Sequence, residues 1–134
     1  MSQENVEIVQ QLYDAAARRD AETVLALYDS EVELDATRIG LNLAFDVYHG
    51  HDGLRRLFAE WHEVWGEIEY DYDELIDAGE HVISVVTRHA RGRASGADVE
   101  RPFTLVWTLR EGKVVRVVWF LARDEALEAA GLRE

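Results

Sequence analysis

The chain has no cysteine. Thiol nucleophiles, disulfides, Cys-ligated zinc and iron–sulfur clusters are therefore excluded, and the composition fits a reducing compartment, so we expect a cytoplasmic protein. Basic residues are scarce: 14 Lys and Arg stand against 27 Asp and Glu, a net charge of −13. Without a cationic cluster to displace counterions, neither nucleic acid nor an anionic membrane surface is an expected partner. No apolar stretch approaches membrane-spanning length, and Met1-Ser2-Gln3-Glu4 is not a cationic lead into an apolar run. Glycine-rich phosphate loops, nucleophile-elbow patterns, internal repeats and low-complexity linkers are missing too, and the one proline, Pro102, sits early in an expected strand. What is present is apolar bulk. Of 134 residues, 48% are hydrophobic, with four Trp, five Tyr and four Phe. That is enough to fill one core, and we expect a single domain over 1–134.

Residues Gln3 to Arg19 repeat Val6, Val9, Tyr13, Ala16 and Ala17 at helical spacing behind Ser2, a candidate N-cap. Asp20 caps a second short helix bearing Val24, Leu25, Leu27 and Tyr28, which ends before Asp29-Ser30. Val32 and Leu34 then alternate with Glu33 and Asp35, the period of a strand with one face on the core. Residues 37–48 show no clean period and read as a loop or irregular strand. After the turn Gly50-His51-Asp52-Gly53, a third helix from Leu54 places Leu54, Leu57, Phe58, Trp61, Val64 and Trp65 on one side, and Gly66 stops it. Ile68, Tyr70 and Tyr72 alternate with Glu67, Glu69, Asp71 and Asp73, whose carboxylates read as a solvated face. Three long strands follow near His81–Arg91, Val99–Arg110 and Lys113–Arg123, joined by the Gly92–Gly96 loop and Glu111-Gly112. Asp124 is the expected cap of a terminal helix ending at Gly131. The fold class is α+β: helices in the order α-α-β-α, then an antiparallel meander curving around them.

This order and several strings together resemble the SnoaL-like branch of the nuclear transport factor 2-like, or ketosteroid isomerase-like, superfamily. The strings are Leu12-Tyr13-Asp14-Ala15-Ala16 with Arg19-Asp20, Tyr48-His49-Gly50-His51-Asp52-Gly53-Leu54-Arg55-Arg56, Ile76-Asp77-Ala78-Gly79-Glu80, Gly92-Arg93-Ala94-Ser95-Gly96, Val106-Trp107-Thr108-Leu109-Arg110-Glu111-Gly112-Lys113, and Glu125-Ala126-Leu127-Glu128-Ala129-Ala130-Gly131-Leu132. The resemblance implies a cone-shaped curved sheet, a ligand pocket of the polyketide cyclase type, no cofactor, and a homodimer through the sheet. It does not imply ketosteroid isomerase activity. Leu12, Ala36 and Leu105 occupy the positions of that enzyme's tyrosine, base and protonated aspartic acid, with Tyr13 and Asp35 each one residue away. Carried onto strand parity, the resemblance turns Val82, Ser84, Val86 and Arg88, Phe103, Leu105 and Trp107, and Val117, Trp119 and Leu121 inward, facing Leu57, Phe58 and Trp61. Such a cavity suits a small apolar oxygenated molecule.

Within that frame Arg88 is the candidate oxyanion stabiliser, because a guanidinium in an apolar cavity is costly unless an oxygen meets it. Asp35 is the candidate acid or base if burial raises its pKa, and His49 the alternative proton carrier at the rim. Tyr13, Leu57, Phe58, Trp61, Ser84, Trp107 and Trp119 are the candidate ligand-binding residues. No metal site is expected: Gly50 breaks the His49 and His51 pair, and His62-Glu63 lacks the second histidine of a helical zinc motif. These residues suggest a cofactor-independent acid–base enzyme of cyclase, isomerase, dehydratase or epoxide hydrolase type. The alternative is a non-catalytic carrier with the same pocket. Ile83, Val85, Thr87 and Val118 form the apolar outer patch expected at a homodimer interface.

Overall fold

A computed structural model describes residues 2–38, 47–92 and 94–131. Four helices accompany six strands in chain order: α1 (Ser2–Ala17), α2 (Ala21–Leu27), β1 (Tyr28–Asp35), β2 (Val47–His49), α3 (Gly50–Val64), β3 (Trp65–Ala78), β4 (His81–Gly92), β5 (Asp98–Arg110), β6 (Lys113–Phe120) and α4 (Arg123–Ala129). The strands form one curved, unclosed sheet in the order β2-β1-β6-β5-β4-β3. The expected hairpins β3–β4, β4–β5 and β5–β6 are all antiparallel. The first strand completes the sheet from far away in sequence: β1 lies parallel to β6, with Leu34 opposite Val117. No helix among the described residues is long and apolar enough to cross a membrane. Residues 39–46, Arg93 and Leu132, and the expected roles of the Val64, Trp65 and Glu67 side chains, lie outside the described residues.

Local chemistry explains most boundaries. Asp20 caps α2, its carboxylate accepting from the Thr23 amide at 3.2 Å and the Thr23 hydroxyl at 2.7 Å. Tyr28 leaves the helix assigned to it and opens β1 instead, where its buried ring lies 6.4 Å from that of Trp107. Helix α3 starts four residues before Leu54, at Gly50. A positive φ of 69° there turns the chain straight out of β2, and His51 Nε2 bonds the Tyr28 carbonyl at 2.9 Å. Gly53 lets α3 pass β2 closely, since a Cβ on it would sit 3.0 Å from the Tyr48 carbonyl carbon. At the other end, α4 is capped by Ala122 with no side-chain bond; Asp124 lies inside the first turn, where its charge favours the helix N-terminus.

The sheet has two packed faces. The concave face takes Val9, Leu12 and Ala15 of α1, Leu54, Leu57 and Trp61 of α3, and the inward residues of β1, β4, β5 and β6 into the main core. A smaller core forms on the outer face, where Ala126 and Leu127 of α4 cover Ile83, Val106, Val118 and Phe120. Two of the four residues expected at a sheet interface, Ile83 and Val118, are thus buried beneath the chain's own helix; Val85 and Thr87 remain half-buried. Arg123 holds α4 down through a two-pronged ion pair with Glu74, at 3.2 and 3.1 Å. On the acidic outer strip, His89 bridges Asp71 at 2.9 Å and Glu100 at 3.3 Å.

Candidate functional site

Period-two alternation on β4 places Val82, Ser84, Val86 and Arg88 on the concave face, and all four are buried. Around Ser84 three elements meet. Trp107 of β5 donates its indole N–H to Ser84 Oγ at 2.8 Å, and the hydroxyls of Ser84 and Tyr13, from α1, share a hydrogen bond of 2.9 Å. Tyr13 also stands edge-on to Trp107, with ring centroids 5.8 Å apart. The three groups own three polar hydrogens, the indole accepts none, and the two bonds use two hydrogens. One hydroxyl hydrogen of the Tyr13–Ser84 pair is therefore left to donate elsewhere. Burial pushes the Tyr13 phenol's pKa well up, with the Ser84 bond opposing only in part. It is held neutral, as a donor rather than a base.

Arg88 marks the second polar point. Its guanidinium carbon lies 5.0 Å from the Phe103 ring centroid and 6.0 Å from that of Trp61, within cation–π range. Burial pulls its pKa down, the Arg101 charge acts in the same direction and Tyr70 opposes them. A guanidinium still stays charged in the working pH range. Trp61 is in turn edge-on to Trp119, with centroids 5.7 Å apart. Tyr70 is the residue missed by sequence reasoning; its alternation with Glu69 and Asp71 was the available signal.

The remaining candidates are placed differently. Asp35 sits on the face of β1 opposite the buried Leu34 and Ala36, and accepts from the Thr37 amide at 3.0 Å and hydroxyl at 2.6 Å. Its partial burial acts upward on the pKa, but Thr37, Arg38 and Arg116 outweigh that, and the net direction is down. A raised, inward acid–base carboxyl is not what this position provides. His49 is exposed at the end of β2, in register with Glu33. Leu57 is buried as expected, whereas Phe58 and Leu121 are 37% and 45% exposed and do not wall the interior. Leu121 lies past the end of β6, so the strand's alternation no longer governs it.

The interior itself is closed. Ser84, Arg88, Phe103, Trp107, Trp119 and Trp61 are each no more than 6% exposed. Tyr72 shares the inward parity of Tyr70, its ring centroid lies 5.0 Å from that of Tyr13 at a tilt of 34°, and it is 38% exposed. Two outer concavities, of about 360 Å³ near Asn5 and Glu80 and about 310 Å³ near His89 and Asp98, border neither Ser84 nor Arg88. Among the described residues the buried polar or charged side chains are Ser84, Arg88 and Thr104, and no group of three or more His, Asp or Glu could hold a metal ion.

The SnoaL-like domain family matches residues 9–117. No curated protein matches the chain. Among solved structures, an NTF2-like protein of unknown function from Burkholderia pseudomallei is 24% identical, covering 93% of this chain and 95% of its own, with a TM-score of 0.79. TerC, crystallised with polyporic acid, is also 24% identical over 96% of this chain and 98% of its own, with a TM-score of 0.77. A candidate polyketide cyclase from Xanthomonas campestris pv. campestris is 17% identical over 96% and 97%, with a TM-score of 0.71. At these identities the structures share the fold.

Proposed function

The chain belongs to the SnoaL-like domain family, and from that premise we propose that it binds a small, largely apolar oxygenated molecule on its concave face and acts on it as a cofactor-independent enzyme of cyclase or isomerase type. The observation that carries this reading is the pairing, on one face of β4, of a hydroxyl donor at Ser84 and a buried cation at Arg88, both set among aromatic rings. Donors and a positive charge fixed in a dry surround are what a developing enolate or alkoxide needs, and such preorganised electrostatics supply much of enzymatic rate enhancement. Tyr13 and Ser84 offer a neutral hydrogen bond to an oxygen at one end of the molecule, Arg88 offers charge to an oxygen at the other, and the tryptophans position the substrate while excluding water. The structures named as a candidate polyketide cyclase and as TerC crystallised with polyporic acid fit this reading.

A specific observation also favours a second reading, a carrier. The buried polar set among the described residues holds no carboxylate and no imidazole, with Asp35 turned to the other face and His49 exposed. One experiment addresses both. Native mass spectrometry of the protein from its own source is expected to find an oxygenated apolar compound bound, and Arg88→Met to lose it. Identical spectra for the two proteins would overturn the pocket assignment. Incubating the recovered compound with fresh protein then separates the readings, because conversion marks an enzyme and unchanged return a carrier.

A further inference from the structure

Ser84 and Arg88 lie on the same face of β4 four residues apart, about 13 Å along a strand rising about 3.3 Å per residue. The rung between them is apolar: Val86, opposite Phe103, both buried. The concave face therefore has two polar ends of different kinds, separated by hydrocarbon. At the Ser84 end, three polar hydrogens and two internal bonds leave one hydroxyl hydrogen for an outside acceptor. This end suits a carbonyl or ether oxygen, which accepts one hydrogen bond and brings no charge. At the Arg88 end stands a buried positive charge bordered by the rings of Phe103 and Trp61. The chain as a whole carries −13, so its surface field repels anions, and Arg88 supplies a local, weakly screened attraction inside. A cationic ligand would meet that charge unfavourably; an anionic one would meet it favourably.

We infer that the preferred ligand is a flat monoanion with a neutral oxygen acceptor at its far end, the acceptor held by the Tyr13–Ser84 hydroxyls and the anionic group by Arg88. This rests on the pocket reading above and adds the ligand's charge, its polarity at each end and its orientation. The body between the two ends lies along Val86 and Phe103, with Trp61 and Trp119 closing over it. Entry runs past Tyr72, where the concave face meets solvent beside Tyr13.

The test uses three matched probes on the full chain, titrated against its tryptophan fluorescence: 4′-acetylbiphenyl-4-carboxylate, the 4′-ethyl acid that lacks the acceptor, and the 4′-acetyl carboxamide that lacks the charge. The acetyl acid is expected to bind about fivefold tighter than the ethyl acid, one neutral hydrogen bond's worth. It is expected to bind about tenfold or more tighter than the amide. Arg88→Met should close the second gap and leave the first, Arg88→Lys should keep part of the charge preference, and the triple variant Tyr13→Phe, Ser84→Ala, Trp107→Phe, which removes every donor at that end, should close the first gap and leave the second. If the wild type holds all three probes equally, the ligand class is wrong while the pocket stands. If none of the three binds, the pocket reading fails and takes this inference with it. An Arg88→Met protein that loses the acetyl preference along with the charge preference, or a triple variant that keeps the acetyl preference, refutes the orientation.

Discussion

Replacing Ser84 by alanine tests the core of the site without any ligand. The side chain is fully buried, and its one oxygen joins α1 to β5 through Tyr13 and Trp107. Alanine fits the space, so the cost is polar. The Trp107 N–H, buried and with no acceptor capacity of its own, loses its partner, and the Tyr13 hydroxyl loses one as well. An unsatisfied buried donor costs about 1–3 kcal/mol, and allowing Tyr13 some recovery at its half-buried edge gives a loss of about 2 kcal/mol. Against a typical total of about 5–15 kcal/mol this is a large fraction. In urea, where a chain of this size has a slope of about 2 kcal/mol per M, the midpoint should fall by about 1 M with the slope unchanged. Trp107→Phe removes the donor itself, so in the double variant Ser84→Ala costs less than alone, and the coupling should be about 1 kcal/mol or more. A midpoint shift below about 0.3 M in Ser84→Ala, or a strictly additive cycle, would show that the hydrogen bonds do not hold these elements together.

Two further outcomes follow from the titrating groups. Burial raises the pKa of Tyr13 and Tyr28 beyond the ordinary tyrosine range and pushes Tyr70 up to about 12. The folded state thus holds these protons longer than the unfolded chain. Stability is fully present below the unfolded tyrosine value of about 10 and falls as pH rises above it, by about 1.4 kcal/mol per pH unit for each ring that keeps its proton in the folded state. Tyrosinate absorbance should appear together with loss of tryptophan emission structure, and ionisation of all five tyrosines at their ordinary value in a folded protein would contradict the packing. Asp35 has the opposite sign: its lowered pKa adds stability above the unfolded value of about 3.9, lost as pH falls through the folded one. Asp35→Ala should cost about 1 kcal/mol at neutral pH, converge with wild type in acid, and leave probe binding unchanged. Loss of probe binding by a folded Asp35→Ala protein would return Asp35 to the ligand site.

What the sequence determined by itself is what local pattern encodes. The 3.6-residue spacing of Val6, Val9 and Tyr13 fixed α1, the carboxylate of Asp20 fixed the start of α2, and Glu111-Gly112 fixed the β5–β6 turn, with both residues at positive φ. Alternation grouped Ser84 with Arg88 and Trp107 with Phe103, and parity carried over from the family resemblance turned both sets inward, because a strand offers only two sides. The same two-sidedness left Asp35 undecided: its strand pattern is equally legible either way, and only pairing with β6, more than eighty residues on, put Leu34 inside and Asp35 out. Tertiary structure alone decided that α4 would cover Ile83 and Val118, that Phe58 and Leu121 would fall outside the core, and that Tyr13 would reach Ser84 across 71 residues of sequence. Periodicity states which face of an element is apolar; which neighbour covers that face is set by long-range packing, and the polar contacts of this site exist only once that packing has brought three distant segments together.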